Sequence, residues 1–392
     1  MTKKQLIGAS LRASTIQTPI IPYIAQLIKD NQDTISFGQG IVDYPPPDEV
    51  QNSVNLFFSD RENHRYKPVE GLPRLKQGIF EKLEKENNIN IQQPWGLFVT
   101  AGSNMAFLQA ILAITDPGDE VIILSPYYFN HEMAIRLANA TPVTVNTDAS
   151  YQPKLEKITR AITKKTRAIV TISPNNPTGA VYPKETLIAI NELCAKHSLY
   201  HINDEAYEYF VYDAAQHYSP AAHDNANQHT ISLFSFSKTY AMASWRIGYM
   251  LVPSHLVDAI KKIQDTNLIC APAICQFAAH TALKKGRTFF QAPINKIAKK
   301  REIITNILSK HADTISYTLP YGAFYFFINI NHHDNAMNIA KYLIEEHKVA
   351  VIPGETFGAS DKPYFRIGYG AVNKPEIERG LSRLIRGINE IK

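Results

Sequence analysis

Only three cysteines, Cys194, Cys270 and Cys275, occur in 392 residues. They cannot form a disulfide framework, and Cys270 and Cys275 do not have zinc-ligand spacing. They read as buried or idle thiols of a reducing compartment, and no metal site is expected. No run of about 18 apolar residues occurs, which excludes a membrane-spanning helix. The opening stretch Met1-Thr-Lys-Lys-Gln-Leu-Ile-Gly8 lacks the apolar core of a signal peptide, so a cytoplasmic location is expected. There is no basic block, and the net charge is +5. Nucleic-acid binding is therefore not indicated, while a small anionic ligand is compatible. No 20–50-residue repeat and no low-complexity segment stands out. The absence of Gly-x-x-x-x-Gly-Lys-Ser/Thr counts against a phosphate-loop nucleotide enzyme.

What is present is an ordinary globular composition, 45% hydrophobic and 20% charged, over a length that allows two or three domains. From about residue 97 to 252, short apolar runs alternate with helical patterns. The strand-like runs are Leu97–Thr100, Glu120–Ser125, Ala168–Ile172, Leu199–Asn203, Ile231–Phe234 and Ile247–Val252; Met105–Ile114 is helical. Such alternation predicts an α/β fold with a mostly parallel sheet covered on both faces. The C-terminal part changes character. Ile294–Lys310 reads as a basic amphipathic helix. Tyr325–Asn329, Lys348–Ile352 and Tyr364–Gly368 read as strands, with helices at about 335–347 and 374–391. This is a smaller α+β domain. The Pro-interrupted residues 1–45 form an arm and part of that small domain, residues 46–288 the large domain, and residues 289–392 the small C-terminal domain.

The most informative segment is Ser235-Phe-Ser-Lys238-Thr-Tyr-Ala-Met-Ala-Ser-Trp-Arg246-Ile-Gly248. Lys238 follows the apolar run Thr230–Phe236, and the end of a buried strand is a poor place for a surface lysine. An amine, hydroxyl donors and a fixed cation together suit an aldehyde cofactor that carries a phosphate. The lysine can form a Schiff base. The hydroxyls of Ser235 and Ser237, with Arg246, can hold the phosphate dianion. That is the layout of a pyridoxal-phosphate site.

Other candidates fall just after predicted strands, where α/β sheets gather their ligands. Gly102, Ser103 and Asn104 open a helix whose free N–H groups favour a phosphate, or form an ordinary capped turn. Tyr128 is placed to stack on a pyridine ring, or is a core or interface tyrosine. The loop Ser173-Pro-Asn-Asn176-Pro-Thr-Gly179 pins Asn176 between prolines. Asp204 can pair with a protonated ring nitrogen, or cap the next helix, and Tyr207 can reach the ring's phenolate oxygen. Arg366, inside an apolar strand, needs a partner, either a substrate carboxylate or a buried structural acid.

In their order, Phe37-Gly-Gln-Gly40, Tyr66-Lys-Pro-Val-Glu-Gly71-Leu, Ala101-Gly-Ser-Asn104, Asn176-Pro-Thr-Gly179, Asp204-Glu-Ala-Tyr207, Ser235-Phe-Ser-Lys238, Arg246-Ile-Gly248, Pro353-Gly-Glu-Thr-Phe-Gly358 and Phe365-Arg366 resemble the fold-type I pyridoxal-phosphate enzymes. The resemblance is specifically to class I/II aminotransferases of the aspartate, aromatic and kynurenine kind, and runs from about Phe37 to the C-terminus. It implies a seven-stranded large-domain sheet and a homodimer. It also implies a ping-pong transfer of an amino group from an L-amino acid to a 2-oxo acid through an aldimine at Lys238. Asp204 matches the residue that pairs with the ring nitrogen, Tyr207 and Asn176 those at the phenolic oxygen, and Tyr128 the stacking aromatic. Ser235, Ser237, Arg246 and the Gly102–Asn104 turn match the phosphate cup. Tyr66 matches a tyrosine that reaches the neighbouring subunit's phosphate, and Gly40 and Arg366 match the substrate carboxylate contacts. Val42 departs from the pattern, in which a proline often precedes the aspartate here Asp43; this bears on the subfamily. C–S β-lyases and cyclising synthases share the fold and these residues and stay open as alternatives. Lys238 as a base requires an amine pKa well below the free value of about 10.4.

Overall fold

Glu120–Ser125 shows why the strands form where they do. Val121 to Leu124 are all buried, yet successive residues serve different layers: Val121 and Ile123 join one apolar cluster, Ile122 and Leu124 another. A pleated strand points successive side chains to opposite faces, so a continuous apolar run needs cover on both. Helices Ser103–Ile114 and Val257–Asn267 cover the first face, and Lys184–His197 the second.

The computed structural model describes residues 8–223 and 225–391, so most of the Met1–Gly8 stretch lies outside the described residues. In chain order the strands are β1 (Ile35–Ser36), β2 (Trp95–Thr100), β3 (Glu120–Ser125), β4 (Thr141–Asn146), β5 (Thr166–Ile172), β6 (Tyr200–Asp204), β7 (Thr230–Ser235) and β8 (Gly248–Pro253), then β9 (Ile315–Tyr317), β10 (Tyr325–Ile330), β11 (Val349–Ala350), β12 (Ile352–Pro353) and β13 (Tyr364–Gly368). The main sheet has seven strands in the order β2-β8-β7-β6-β5-β3-β4. β8 alone runs opposite to the other six strands, so the sheet is mostly parallel with helices on both faces.

A second, antiparallel sheet, β12-β13-β10-β9, is built from the C-terminal part. The N-terminal arm belongs with it. Helix Ile20–Asp30 buries Ile20 and Ile24 in a cluster with Phe327, Ile344 and Ile352, and β1 pairs in parallel with β11 through Ile35↔Val349. That pairing carries the segment from Phe37 to Gly40 alongside β13, where Gly368 donates its N–H to the Phe37 carbonyl at 2.7 Å.

Two expectations are corrected. Lys348–Ile352 is not one strand. Val349 pairs with the N-terminal arm and Ile352 with Arg366, so the run is divided between two sheets. The helix expected from Ile294 begins at Arg287 and ends at Leu308, with Pro293 inside it. A proline forfeits one backbone hydrogen bond, and here the burial of Phe290, Ile294, Ile297, Ile304 and Leu308 on one side holds the helix through it. Among the described residues, no helix is long and apolar enough to cross a membrane.

Candidate active site

Register across the main sheet assembles the site. Thr100, Gly248 and Ser235 lie side by side on β2, β8 and β7. Asp204 closes β6 beside Ile172 of β5. One cavity at these strand ends is lined by Ser103, Asn104, Tyr128, Ile172, Asn176, Asp204, Ala206, Tyr207, Ser235, Ser237, Lys238 and Arg246. Ten of the residues singled out from the sequence therefore meet in one place.

Gly102 precedes helix Ser103–Ile114 with φ +81°, a conformation that favours glycine. A Cβ there would collide with Arg246 Nη2, so the bare backbone lets the guanidinium lie against the helix start. Arg246 is exposed, and its Nη1 donates to the Ala243 carbonyl at 2.9 Å. Among the described residues no carboxylate lies within ion-pair distance of it. Ser237 N–H donates to Ser235 Oγ at 3.1 Å, which folds the turn before Lys238.

Lys238 Nζ donates to the Gly40 carbonyl at 2.6 Å. The Tyr44 hydroxyl donates to the Lys238 and Thr239 carbonyls at 3.2 and 3.1 Å, pinning the lysine's backbone to the arm. Burial brings the amine down from the usual lysine value to about 8; Arg366 and Arg246 add to the fall and Asp204 opposes it. A desolvated amine beside two fixed cations loses its proton readily, as a base near neutrality requires.

Asp204 Oδ1 accepts the Ala206 N–H at 3.0 Å. Its Oδ2 lies 3.1 Å from Nε2 of buried His131, at an angle too bent for a hydrogen bond. His131 is held by stacking on Phe107, with ring centroids 3.9 Å apart. Opposite, Asn176 Nδ2 donates to the Tyr207 hydroxyl at 3.5 Å, and the Tyr207 and Tyr325 hydroxyls are 2.7 Å apart. Tyr128 Oη accepts from Asn130 Nδ2 at 2.8 Å, and its ring stands edge-on to His131.

Arg366 is 2% exposed. Nη1 donates to Asn176 Oδ1 at 3.0 Å and Nη2 to the Gly38 carbonyl at 2.8 Å, while Nε has no partner. Among the described residues no acid pairs with it, so the buried structural ion pair weighed above is not what holds it. Gly40 lies not against Arg366 but against Tyr325 and Lys238: a Cβ there would lie 2.5 Å from the Tyr325 hydroxyl and 3.9 Å from Lys238 Nζ. Tyr66 stands apart. It is 83% exposed and does not line its own chain's cavity.

The charges test whether pyridoxal phosphate fits. The cations of Lys238 and Arg246 line the cavity, that of Arg366 adjoins it through its bond to Asn176, and among the described residues Asp204 is the only carboxylate in the lining. A phosphate dianion and a substrate carboxylate would balance that excess, Arg246, Ser235, Ser237 and the Gly102–Asn104 turn forming the cup for the former. The donor set fits.

Two site residues escaped sequence reasoning. His131 lies three residues after Tyr128 and was not singled out. Tyr325 read only as the first residue of an apolar strand.

Comparison with known proteins agrees with this geometry. The model of the family "Aminotransferase class I and II" matches residues 32–384. A probable aspartate/prephenate aminotransferase of Aquifex aeolicus is 34% identical over 368 residues, covering 92% of each chain. Aromatic-amino-acid aminotransferase 2 of Thermococcus litoralis is 30% identical, covering 98% of this chain and all of that one. The solved structure of Thermus thermophilus aspartate aminotransferase with maleate superimposes with a TM-score of 0.90 at 30% identity, covering 97% of this chain and 100% of that one.

Proposed function

The chain belongs to the class I and II aminotransferases, enzymes dependent on pyridoxal phosphate, and from that premise we propose that it moves an amino group from an L-amino acid to a 2-oxo acid by a ping-pong mechanism, with Lys238 as the covalent anchor and base. The carrying observation is that Lys238, Asp204 and Arg246 line one cavity at the strand ends, with Arg366 bonded to Asn176 of the same lining.

When bound, pyridoxal phosphate supplies an aldehyde that captures the amino group and a pyridine ring that accepts the electron pair left at the substrate's α-carbon. Ser235, Ser237, Arg246 and the Gly102–Asn104 turn hold the phosphate. Asp204, with His131 beside it, keeps a proton on the ring nitrogen. Tyr207 and Asn176 donate to the phenolic oxygen. Tyr128 packs on the ring face. Arg366 and the backbone at Gly40 receive the substrate α-carboxylate, which orients the α-hydrogen. Lys238, whose amine burial brings down to about 8, would take that proton from the α-carbon and deliver it to the cofactor's C4′.

We further propose that the chain works in the cytoplasm as a homodimer in which Tyr66 reaches the partner's phosphate cup; its exposure on the single chain supports this. A monomer in sedimentation at assay concentration would contradict it. Within each chain, residues 46–288 form the cofactor domain, with 1–45 and 289–392 contributing the smaller one; limited proteolysis that cuts within the main sheet first would argue otherwise.

The function is tested by separating the half-reactions. Donors from a panel of L-amino acids should each leave one 2-oxo acid and convert the cofactor stoichiometrically, and 2-oxoglutarate or pyruvate should restore it. Release of ammonia and pyruvate as the main products would show elimination instead.

A further inference from the structure

Tyr325 is fully buried in β10, and its environment is more constrained than that of an ordinary core tyrosine. Its hydroxyl lies 2.7 Å from that of Tyr207. The Arg366 guanidinium sits over its ring, 4.6 Å from the centroid. Gly40 passes so close that a side chain there would strike the hydroxyl. One phenol thus touches the residue facing the cofactor's phenolic oxygen, the residue facing the substrate carboxylate, and the backbone that accepts from Lys238.

Hydrogen-bond direction gives this contact a role. A hydroxyl has one proton to donate. Between Tyr207 and Tyr325 either oxygen can be the donor. If Tyr207 gives its proton to Tyr325, it has none for a ligand. Once Tyr207 donates to a ligand oxyanion, the 2.7 Å contact survives only if Tyr325 donates back. Asn176 Nδ2 already points a proton at Tyr207 Oη from another side. Donors in series polarise one another, so each strengthens the outermost one.

We propose that Tyr325 is a positioning residue that fixes Tyr207 as an outward donor toward the cofactor's phenolic oxygen, and so tunes the acidity of the cofactor bound at Lys238. The proposal rests on the reading of Tyr207 given above. Among the described residues, the other titratable or charged groups about the pair are Arg366 on β13, Tyr369 just after it, Tyr128 and Asp204 at the strand ends, and Lys238, whose Nζ lies 5.9 Å from the Tyr207 ring. None of them changes in the variants below.

The test uses the holoenzyme without substrate and follows the cofactor's visible absorption against pH. Tyr207→Phe removes the outward donor and should raise the spectroscopic pKa by roughly one to two units, since a hydrogen bond to the charged form favours it. Tyr325→Phe should raise it in the same direction by roughly half a unit, a cooperative fraction of that bond. In the double variant Tyr325→Phe should add nothing to Tyr207→Phe, because it acts through Tyr207. Thermal melting of the cofactor-free variants reports packing separately. A Tyr325→Phe spectrum that titrates like the parent, or a shift that adds fully in the double variant, overturns the proposal while leaving the Tyr207 assignment intact. No shift in Tyr207→Phe alone overturns both.

Discussion

Arg366 Nη1 donates to Asn176 Oδ1 at 3.0 Å, tying β13 of the C-terminal sheet to the loop that follows β5 of the main sheet. A buried guanidinium without an acid is costly unless its donors are met. Here two are met by neutral oxygens, and Nε is left open. This arrangement supports the proposed role of Arg366 in receiving the substrate carboxylate.

Replacing Arg366 by Gln keeps a polar amide donor but shortens the side chain and removes the charge. Two charge-assisted hydrogen bonds, about 1.5–3 kcal/mol each, would go with it. The expected result is a fall in kcat/KM for the amino donor of roughly 10²- to 10⁴-fold, with cofactor affinity changed by less than about threefold. Steady-state kinetics over the donor panel, with a cofactor titration alongside, checks it. A loss under tenfold would remove Arg366 from the carboxylate site.

Gly102→Ala forces a Cβ toward Arg246 from a backbone at φ +81°. The strain, of order 1–3 kcal/mol, and the displaced guanidinium both act on the phosphate cup. The cofactor Kd, read from fluorescence on adding pyridoxal phosphate to the cofactor-free protein, should rise at least roughly tenfold. Parental affinity would mean that this turn does not serve the phosphate.

Lys238 provides a pH test. Its folded value, about 8, lies below the ordinary lysine value of 10.5, so folding opposes the charged amine. Below pH 8 both states carry the proton and the folded state bears the full penalty. Between pH 8 and 10.5 the folded state has shed its proton while the unfolded state keeps it, and stability rises with pH. Relative to Lys238→Met, the cofactor-free protein should therefore gain about 2–3 kcal/mol across that window. Denaturant titrations of both proteins at pH 7 and pH 10 measure the difference; a constant difference, or one of opposite sign, would mean the amine is not depressed.

Asp204→Asn keeps size and removes charge. With no anion facing the ring nitrogen, stabilisation is lost mainly where electrons flow into the ring. Turnover should fall by roughly 10³-fold or more while the cofactor still binds. Single-turnover absorbance traces separate the two effects. An unchanged half-reaction rate would exclude Asp204 from this role.

The legible part of the site was the part whose chemistry is local. Lys238, the two serines and Arg246 lie within one short segment. Arg366 stood out as a charge in an apolar strand, and Asp204 as an acid at a strand end. The main sheet was legible for a similar reason, since doubly buried strands such as Val121–Leu124 are apolar at every position. What escaped depends on tertiary placement. His131 matters because a helix sets it between Phe107 and Asp204. Tyr325 matters because β10 happens to bring its hydroxyl to Tyr207. Val349 and Ile352 parted because two partners compete for one short run, and the helix through Pro293 followed its buried side rather than local propensity.

The central claim is that the cofactor is held covalently by the amine at 238. Borohydride reduction of the holoenzyme, followed by peptide mass mapping, tests it most directly. The account predicts one cofactor mass per chain, on the peptide containing Lys238 and on no other lysine, with the visible band lost on reduction. Bound cofactor that leaves Lys238 unmodified, or that marks a different lysine, would contradict it.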